Sequence, residues 1–256
     1  MDPPGNIQGP KAKGEKPLTC KAGRRYPRYG SCFIVFSASG EPPLVTGTNW
    51  PGPVRLKKLA GQVEASGLIA ASGHYHLVRA DGTRHEFTVD AVPQPVPIEG
   101  TWDFEPDGGP KLRLDELRSW TNLAPVRNYS GWATYSISLD APDPGTELDW
   151  WLDLGRVHET AEASLNGVAL GAAWKGERRL HCGQALRAGR NQLRVRVGNL
   201  WVNNYYSRPK RDLKPVAETF GIRWGTYGEV PPKTMPPSGL LGPVRLIPLL
   251  RRIEKL

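Results

Sequence analysis

Short runs of alternating apolar and polar residues recur along this chain, and their period predicts strands rather than helices. Cys32-Phe33-Ile34-Val35-Phe36 is the first strong run, followed by short candidates at 54–59 and 67–71. Residues 74–89 read as a hairpin around Asp81-Gly82, taken as a two-residue type I′ turn. That register places His74, His76 and Val78 on one face with His85, Phe87 and Val89. Strands then recur. Gly100-Thr101-Trp102-Asp103-Phe104 alternates, and 131–139 puts Ala133, Tyr135, Ile137 and Leu139 on one face. Residues 148–154 put Leu148, Trp150, Leu152 and Leu154 on one side, with Asp149, Trp151 and Asp153 opposite. Asn166-Gly167 is a second type I′ signal, joining 161–165 to 168–170. Residues 192–197 and 244–250 complete the series, and 114–120 is the one weak helical pattern.

Many short strands separated by turn residues indicate an all-β sandwich. Ala91-Val92-Pro93-Gln94-Pro95-Val96-Pro97 breaks the pattern, because proline lacks the N–H a ladder needs. It is read as an extended linker and a boundary near 91–99. The expected organisation is a poorly ordered lead-in over 1–30, a small β-rich unit over 31–95 and a larger sandwich over 96–256.

Composition changes this picture little. With 29 Gly and 25 Pro among 256 residues, the chain suits strands and tight turns. No run is long and apolar enough for a membrane helix, so no membrane partner is expected. The opening Met1-Asp2-Pro3-Pro4-Gly5 lacks the features of a secretory signal. Cys20, Cys32 and Cys182 form no C-x-x-C pair and read as small hydrophobes. Charge is polarised. Residues 61–174 hold seven Lys/Arg against seventeen Asp/Glu, whereas 175–214 hold eleven against two. A basic segment of this kind suits an acidic polymer. No nucleic-acid-binding module is visible, so a glycan is the better partner.

Candidate chemistry is sparse. No nucleophile elbow or phosphate loop occurs. Glycoside hydrolysis needs two carboxylates close together, but Asp149 and Asp153 lie roughly 13 Å apart by strand rise. Glu159 and Glu162 are the remaining candidates for a catalytic pair. For a metal, His74, His76 and His85 share one face in the register above, and Asp103, Glu105 and Asp107 offer hard oxygen ligands for a structural calcium. No cofactor is required by any motif. Sugars stack on aromatic rings rimmed by planar polar groups. Trp102, Trp120, Trp150 and Tyr135 fall in strand patterns and read as core. Trp174, Trp201, Tyr205, Tyr206, Trp224 and Tyr227 fall at strand ends or in loops, beside Asn203, Asn204, Arg208 and Glu229. They are the candidate ligand-facing set.

An ordered series of short pieces carries a family resemblance. It runs from Gly100-Thr101-Trp102 and Tyr129-Ser130-Gly131-Trp132-Ala133-Thr134-Tyr135 through Leu152-Asp153-Leu154-Gly155-Arg156-Val157 and Ala161-Glu162-Ala163-Ser164-Leu165-Asn166-Gly167. Gly171-Ala172-Ala173-Trp174, Val197-Gly198-Asn199-Leu200-Trp201 and Pro237-Ser238-Gly239-Leu240-Leu241-Gly242-Pro243-Val244 continue it. The stretch resembles the galactose-binding-like sandwich at the C-terminal end of large bacterial α-L-rhamnosidases and of related family 2-type glycoside hydrolases. The resemblance implies a jelly-roll sandwich, a carbohydrate partner and a periplasmic or secreted parent. The family's catalytic barrel, and with it the catalytic carboxylates, has no counterpart positions here. The chain also departs after Trp201, where Asn203-Asn204-Tyr205-Tyr206-Ser207-Arg208-Pro209-Lys210-Arg211 is basic and aromatic. The leading expectation is a non-catalytic carbohydrate-associated module. The alternatives are a small stand-alone hydrolase, with calcium or zinc, acting on a glycoside, ester or lactone, and a structural support for a missing catalytic domain.

Overall fold

The computed structural model describes residues 44–59, 62–174, 176, 178–207 and 235–256. The expected strand at Cys32–Phe36 and the lead-in over 1–30 lie outside the described residues.

Seventeen strands occur among the described residues. The first six are β1 (Val45–Thr48), β2 (Arg55–Leu59), β3 (Gln62–Ile69), β4 (Gly73–Arg79), β5 (Arg84–Val89) and β6 (Val96–Pro97). Then come β7 (Trp102–Pro106), β8 (Leu112–Leu114), β9 (Trp132–Ala141), β10 (Leu148–Asp153), β11 (Arg156–His158) and β12 (Thr160–Leu165). The last five are β13 (Val168–Ala173), β14 (Arg179–His181), β15 (Gly189–Gly198), β16 (Gly239–Gly242) and β17 (Arg245–Lys255). One short helix, α1 (Val202–Ser207), stands where the sequence suggested a loop. The weak helical pattern at 114–120 is not a helix. Leu112–Leu114 is a strand, and the chain turns through short 3₁₀ segments at Trp120–Asn122 and Ala124–Val126 instead.

The main sandwich faces one six-stranded sheet, β13-β12-β15-β9-β7-β8, with the β14-β10-β17 part of a second. Alternation dictates what lies between them. Ala133, Tyr135, Ile137 and Leu139 from β9 and Leu193, Val195 and Val197 from β15 point inward. They meet Trp150, Leu152, Leu180 and Leu246, and all belong to one buried cluster with Trp102, Phe104 and Trp120. Trp102, Trp120, Trp150 and Tyr135 are thus core, as expected. Trp120 Nε1 donates to the Tyr135 hydroxyl, which also accepts Leu240 N at 3.1 Å.

A second cluster holds Trp50, Ala65, Ile69, Tyr75, Leu77, Phe87 and Val89. It lies where the β1-β4-β5 sheet meets β3, and Leu250 of β17 and Leu256 just beyond it pack against it. β17 therefore serves both clusters. Its first half pairs with β10, and its second half pairs with β3 from Leu250↔Ile69 to Lys255↔Glu64. The proline-rich stretch is partly drawn into this sheet, since Val96 and Pro97 pair with Leu246 and Arg245. A two-residue edge pairing tolerates proline where a central strand would not.

The hairpin β4–β5 corrects one expectation. Arg79 N donates to Thr83 O, and only Gly82 has positive φ, at 85°. The loop is thus three residues with a Gly bulge, not a two-residue type I′ turn. Leu77 pairs with His85 and Tyr75 with Phe87, a one-residue shift from the expected register. One residue reverses every side chain, so His74 and His76 face away from His85.

Candidate functional site

The six-stranded sheet turns its polar side outward. Register brings those residues into rows across the strands. One row runs Ala172, Glu162, Arg196, Thr134, Glu105, and the next runs Ala169, Ser164, Arg194, Ser136, Asp103, Arg113. The first rungs of these rows border a groove of about 490 Å³, lined by Glu162, Ser164, Gly171, Ala172, Arg194 and Arg196 among others. Two features open it. β13 lines it with only Ala and Gly, and opposite Ala163 and Ser164 the register shifts, leaving Leu170 as an extra residue of β13 beside Gly171, whose φ is 111°.

The cations of the groove differ in their surroundings. The Arg196 guanidinium is fixed by Asp107 Oδ2 at 2.7 Å and lies 5.0 Å from the Trp132 ring centroid. Arg194 and Glu162 are exposed and make no ion pair among the described residues. The groove thus offers a free guanidinium, an anchored one, a hydroxyl and a carboxylate. That set can bind an anion and the hydroxyls around it.

Several sequence candidates gather at one end of the same sheet, where β13 and β15 finish and β12 and β9 begin. Trp174 follows β13 and is 69% exposed, and Trp201 follows β15 at 46%. Glu159 precedes β12, with its backbone N–H on Gly198 O at 2.9 Å and its carboxylate 3.8 Å from His158 Nδ1. Asn203 does not rim a ligand, because it is fully buried. Its Nδ2 donates to Ser238 Oγ at 2.8 Å, as Asn199 Nδ2 does, and its Oδ1 is buried without a partner among the described residues. Asn204 is held through its backbone by Ser130 Oγ at 3.0 Å. Asn203 thus ties α1 to the segment entering β16, and the Asn204 backbone ties it to the loop before β9. Tyr205 and Tyr206 belong to α1, but their side chains lie outside the described residues, as do Arg208, Trp224, Tyr227 and Glu229.

The metal and catalytic candidates do not assemble. His74 Nδ1 lies 3.0 Å from Thr88 Oγ1 on the outer side of the hairpin. His85 Nε2 lies 2.7 Å from Glu254 Oε2 on the inner side, so the three imidazoles cannot share an ion. Asp103, Glu105 and Asp107 each face a cation instead, Arg113 at 3.7 Å, Lys111 at 3.0 Å and Arg196 at 2.7 Å. Among the described residues, no three His, Cys, Asp or Glu side chains are placed to hold a metal. Asp149 and Asp153 are buried on the strand face opposite Trp150. Asp149 takes His181 at 2.8 Å and Arg251 at 2.9 Å, and Asp153 takes Arg245 at 3.1 Å. Glu159 and Glu162 stand on opposite sides of the start of β12, one in a bend and one in the groove, and among the described residues neither pairs with a second carboxylate.

The groove itself was missed. Its signal was the alternation Leu193-Arg194-Val195-Arg196-Val197, which predicts two guanidiniums on one outer strand face beside the small residues Gly171-Ala172.

No protein-family model matches the chain. A protein of Formosa agariphila described as a "Putative beta-glucuronidase" is 33% identical over 176 residues, covering 65% of this chain and 13% of that protein. A rhamnosidase from Novosphingobium sp. PP1Y aligns with a TM-score of 0.50 and 24% identity, over 81% of this chain and 25% of that one. A GH2 beta-galacturonidase from Eisenbergiella tayi aligns with a TM-score of 0.40 and 18% identity, over 61% and 24%. Fold and likeness together define a β-sandwich domain related to those of glycoside hydrolases. The chain spans a small part of the relatives it matches, 13% of the Formosa protein and 25% of the rhamnosidase.

Proposed function

We propose that this chain is a non-catalytic, carbohydrate-associated module of a glycoside-hydrolase-type protein. In this reading it corresponds to the accessory sandwich region of α-L-rhamnosidases, and a catalytic domain lies elsewhere in the parent. The observation that carries the proposal is the engagement of its buried carboxylates. Asp149, Asp153 and Glu254 are each held by guanidinium or imidazole groups, which suits a scaffold and leaves no acid and base facing one another across a cleft among the described residues. The 13% share of the Formosa protein supports the same reading, since it leaves most of that protein for the chemistry.

Two measurements test it on the whole chain. Incubation with an aryl β-glucuronide and an aryl α-rhamnoside should release no phenol above the blank. Native gels containing acidic or neutral glycans should retard the protein in at least one case. Turnover by pure protein, lost on Glu159→Gln or Glu162→Gln, would overturn the proposal in favour of a stand-alone hydrolase.

A further inference from the structure

We infer that the groove on the outer face of β13, β12 and β15 binds an anionic sugar unit, a uronate whose carboxylate pairs with Arg194. This inference rests on the reading of the chain as a carbohydrate-associated module and names the ligand class and site.

Four observations converge. First, Arg194 is exposed yet unpaired among the described residues, on a face where its acidic neighbours Asp103, Glu105 and Asp107 are already matched to Arg113, Lys111 and Arg196. A guanidinium fork without a partner matches a planar carboxylate with two parallel N–H···O bonds. Second, Arg196 is anchored by Asp107 and Trp132, so a second guanidinium stands two residues along the strand with little side-chain entropy left to lose. Third, the groove floor is Ala169, Gly171 and Ala172, and its volume of about 490 Å³ is large enough for a sugar ring to approach the backbone. Glu162 and the Ser164 hydroxyl then border the space where ring hydroxyls would lie. Fourth, Trp174 stands two residues beyond Ala172 on β13, within about 7 Å by strand rise. It is 69% exposed, the most exposed large apolar side chain among the described residues. An indole so placed offers the face on which a neighbouring pyranose in the same chain stacks.

Affinity electrophoresis of the full chain tests this in gels holding polygalacturonate, a sulfated galactan or a neutral galactan. Polygalacturonate should retard the protein. Arg194→Ala should weaken that retention about tenfold, the worth of one charge-assisted pair. Trp174→Ala should weaken it about fivefold through lost stacking. Arg190→Ala is the control, an exposed arginine on the same strand outside the groove, and should leave retention unchanged. All three replacements are on the surface, and matching circular dichroism spectra establish that each variant folds.

An equal loss in Arg190→Ala would mean diffuse charge attraction and overturn the site. Unchanged retention in both Arg194→Ala and Trp174→Ala would do the same. Retention by the sulfated galactan alone would overturn the uronate assignment. Retention by the neutral galactan alone would overturn the anionic ligand and leave the module reading standing. That reading fails separately, on turnover of the aryl glycosides.

Discussion

Asp149 shows how one buried charge is made tolerable. It sits on β10 with its carboxylate accepting from His181 Nε2 at 2.8 Å, Arg251 at 2.9 Å and Trp151 Nε1 at 3.2 Å. Burial pushes its carboxyl up, but the hydrogen bonds from Arg251 and His181 and the imidazole charge outweigh that, so it settles below the ordinary 3.8. Tyr135 is the opposite case. Burial raises its phenol to about 12 against two N–H donors, so it stays a neutral acceptor for Leu240 and Trp120. The sign for Asp149 follows from linkage. A carboxyl lowered by folding adds stability above its unfolded value, and that gain disappears as pH falls through the folded value. Asp149→Asn should therefore lower stability at pH 7 by about 1–2 kcal/mol, a figure reduced because His181 and Arg251 are partly exposed and regain water. The difference from wild type should shrink below pH 3.8 as the wild-type carboxyl protonates. Urea midpoints at neutral and acid pH measure this, and an equal loss at both would mean that the charge is not what stabilises.

Two nearly identical turn signals gave different elements. At Asn166-Gly167 both φ values are positive, 53° and 82°, which is the type I′ turn that the sequence suggested. Asn166 is held there from outside the hairpin. Its Oδ1 accepts Gln192 N at 2.9 Å, and its Nδ2 donates to Ala185 O at 2.8 Å and Asn191 Oδ1 at 2.7 Å. Asp81 makes only local contacts, accepting Thr83 N at 2.8 Å and facing Arg79 Nε at 3.8 Å, and the loop takes a third residue. Alternation was legible because it reports burial, so the inward sets on β9 and β10 were read correctly. Turn length was not, because it depends on side-chain bonds whose partners are distant in sequence or on small differences between local geometries. That single residue undid the histidine cluster and sent His85 to Glu254, a partner 169 positions away. The candidate site was legible only in part for a related reason. Arg194 and Arg196 were plainly on one face, but the groove also needs a bulge and small residues on a neighbouring strand. Asn166→Ala should cost about 2–3 kcal/mol, from a strained left-handed alanine plus three lost hydrogen bonds. Asp81→Ala should cost less. Thermal melts that reversed this order would show that the outside contacts of Asn166 do not hold its turn.

At the scale of the molecule, β17 ties the two hydrophobic clusters into one sheet. Residues on one side of it serve both in turn. Leu246 belongs to the larger cluster, Leu250 and Leu256 pack on the smaller, and Glu254 between them meets His85 and Arg252. Arg252 also lies 5.4 Å from the Phe87 ring, so the charged pair is packed over the small cluster and not only joined to itself. Hydrophobic burial there is modest, seven residues around Trp50 and Phe87, whose rings lie 5.2 Å apart. A cluster that small depends on the strand that closes it. A chain ending after Arg251 removes the ladder from Arg252↔Gly67 to Lys255↔Glu64 and leaves His85 without its carboxylate, while the pairing of β10 with the first half of β17 and the Arg251–Asp149 pair are kept. The smaller cluster should then open locally without global unfolding, because local and global stabilities need not coincide. Proteolytic cleavage within residues 44–92 should become on the order of tenfold faster, while 131–198 stays protected. Quenching by acrylamide should rise by the share due to Trp50 alone, since Trp102, Trp120 and Trp150 stay in the larger cluster. If both regions were cut at equally raised rates, β17 would be a strut on which the whole sandwich depends, and the two clusters would unfold as one.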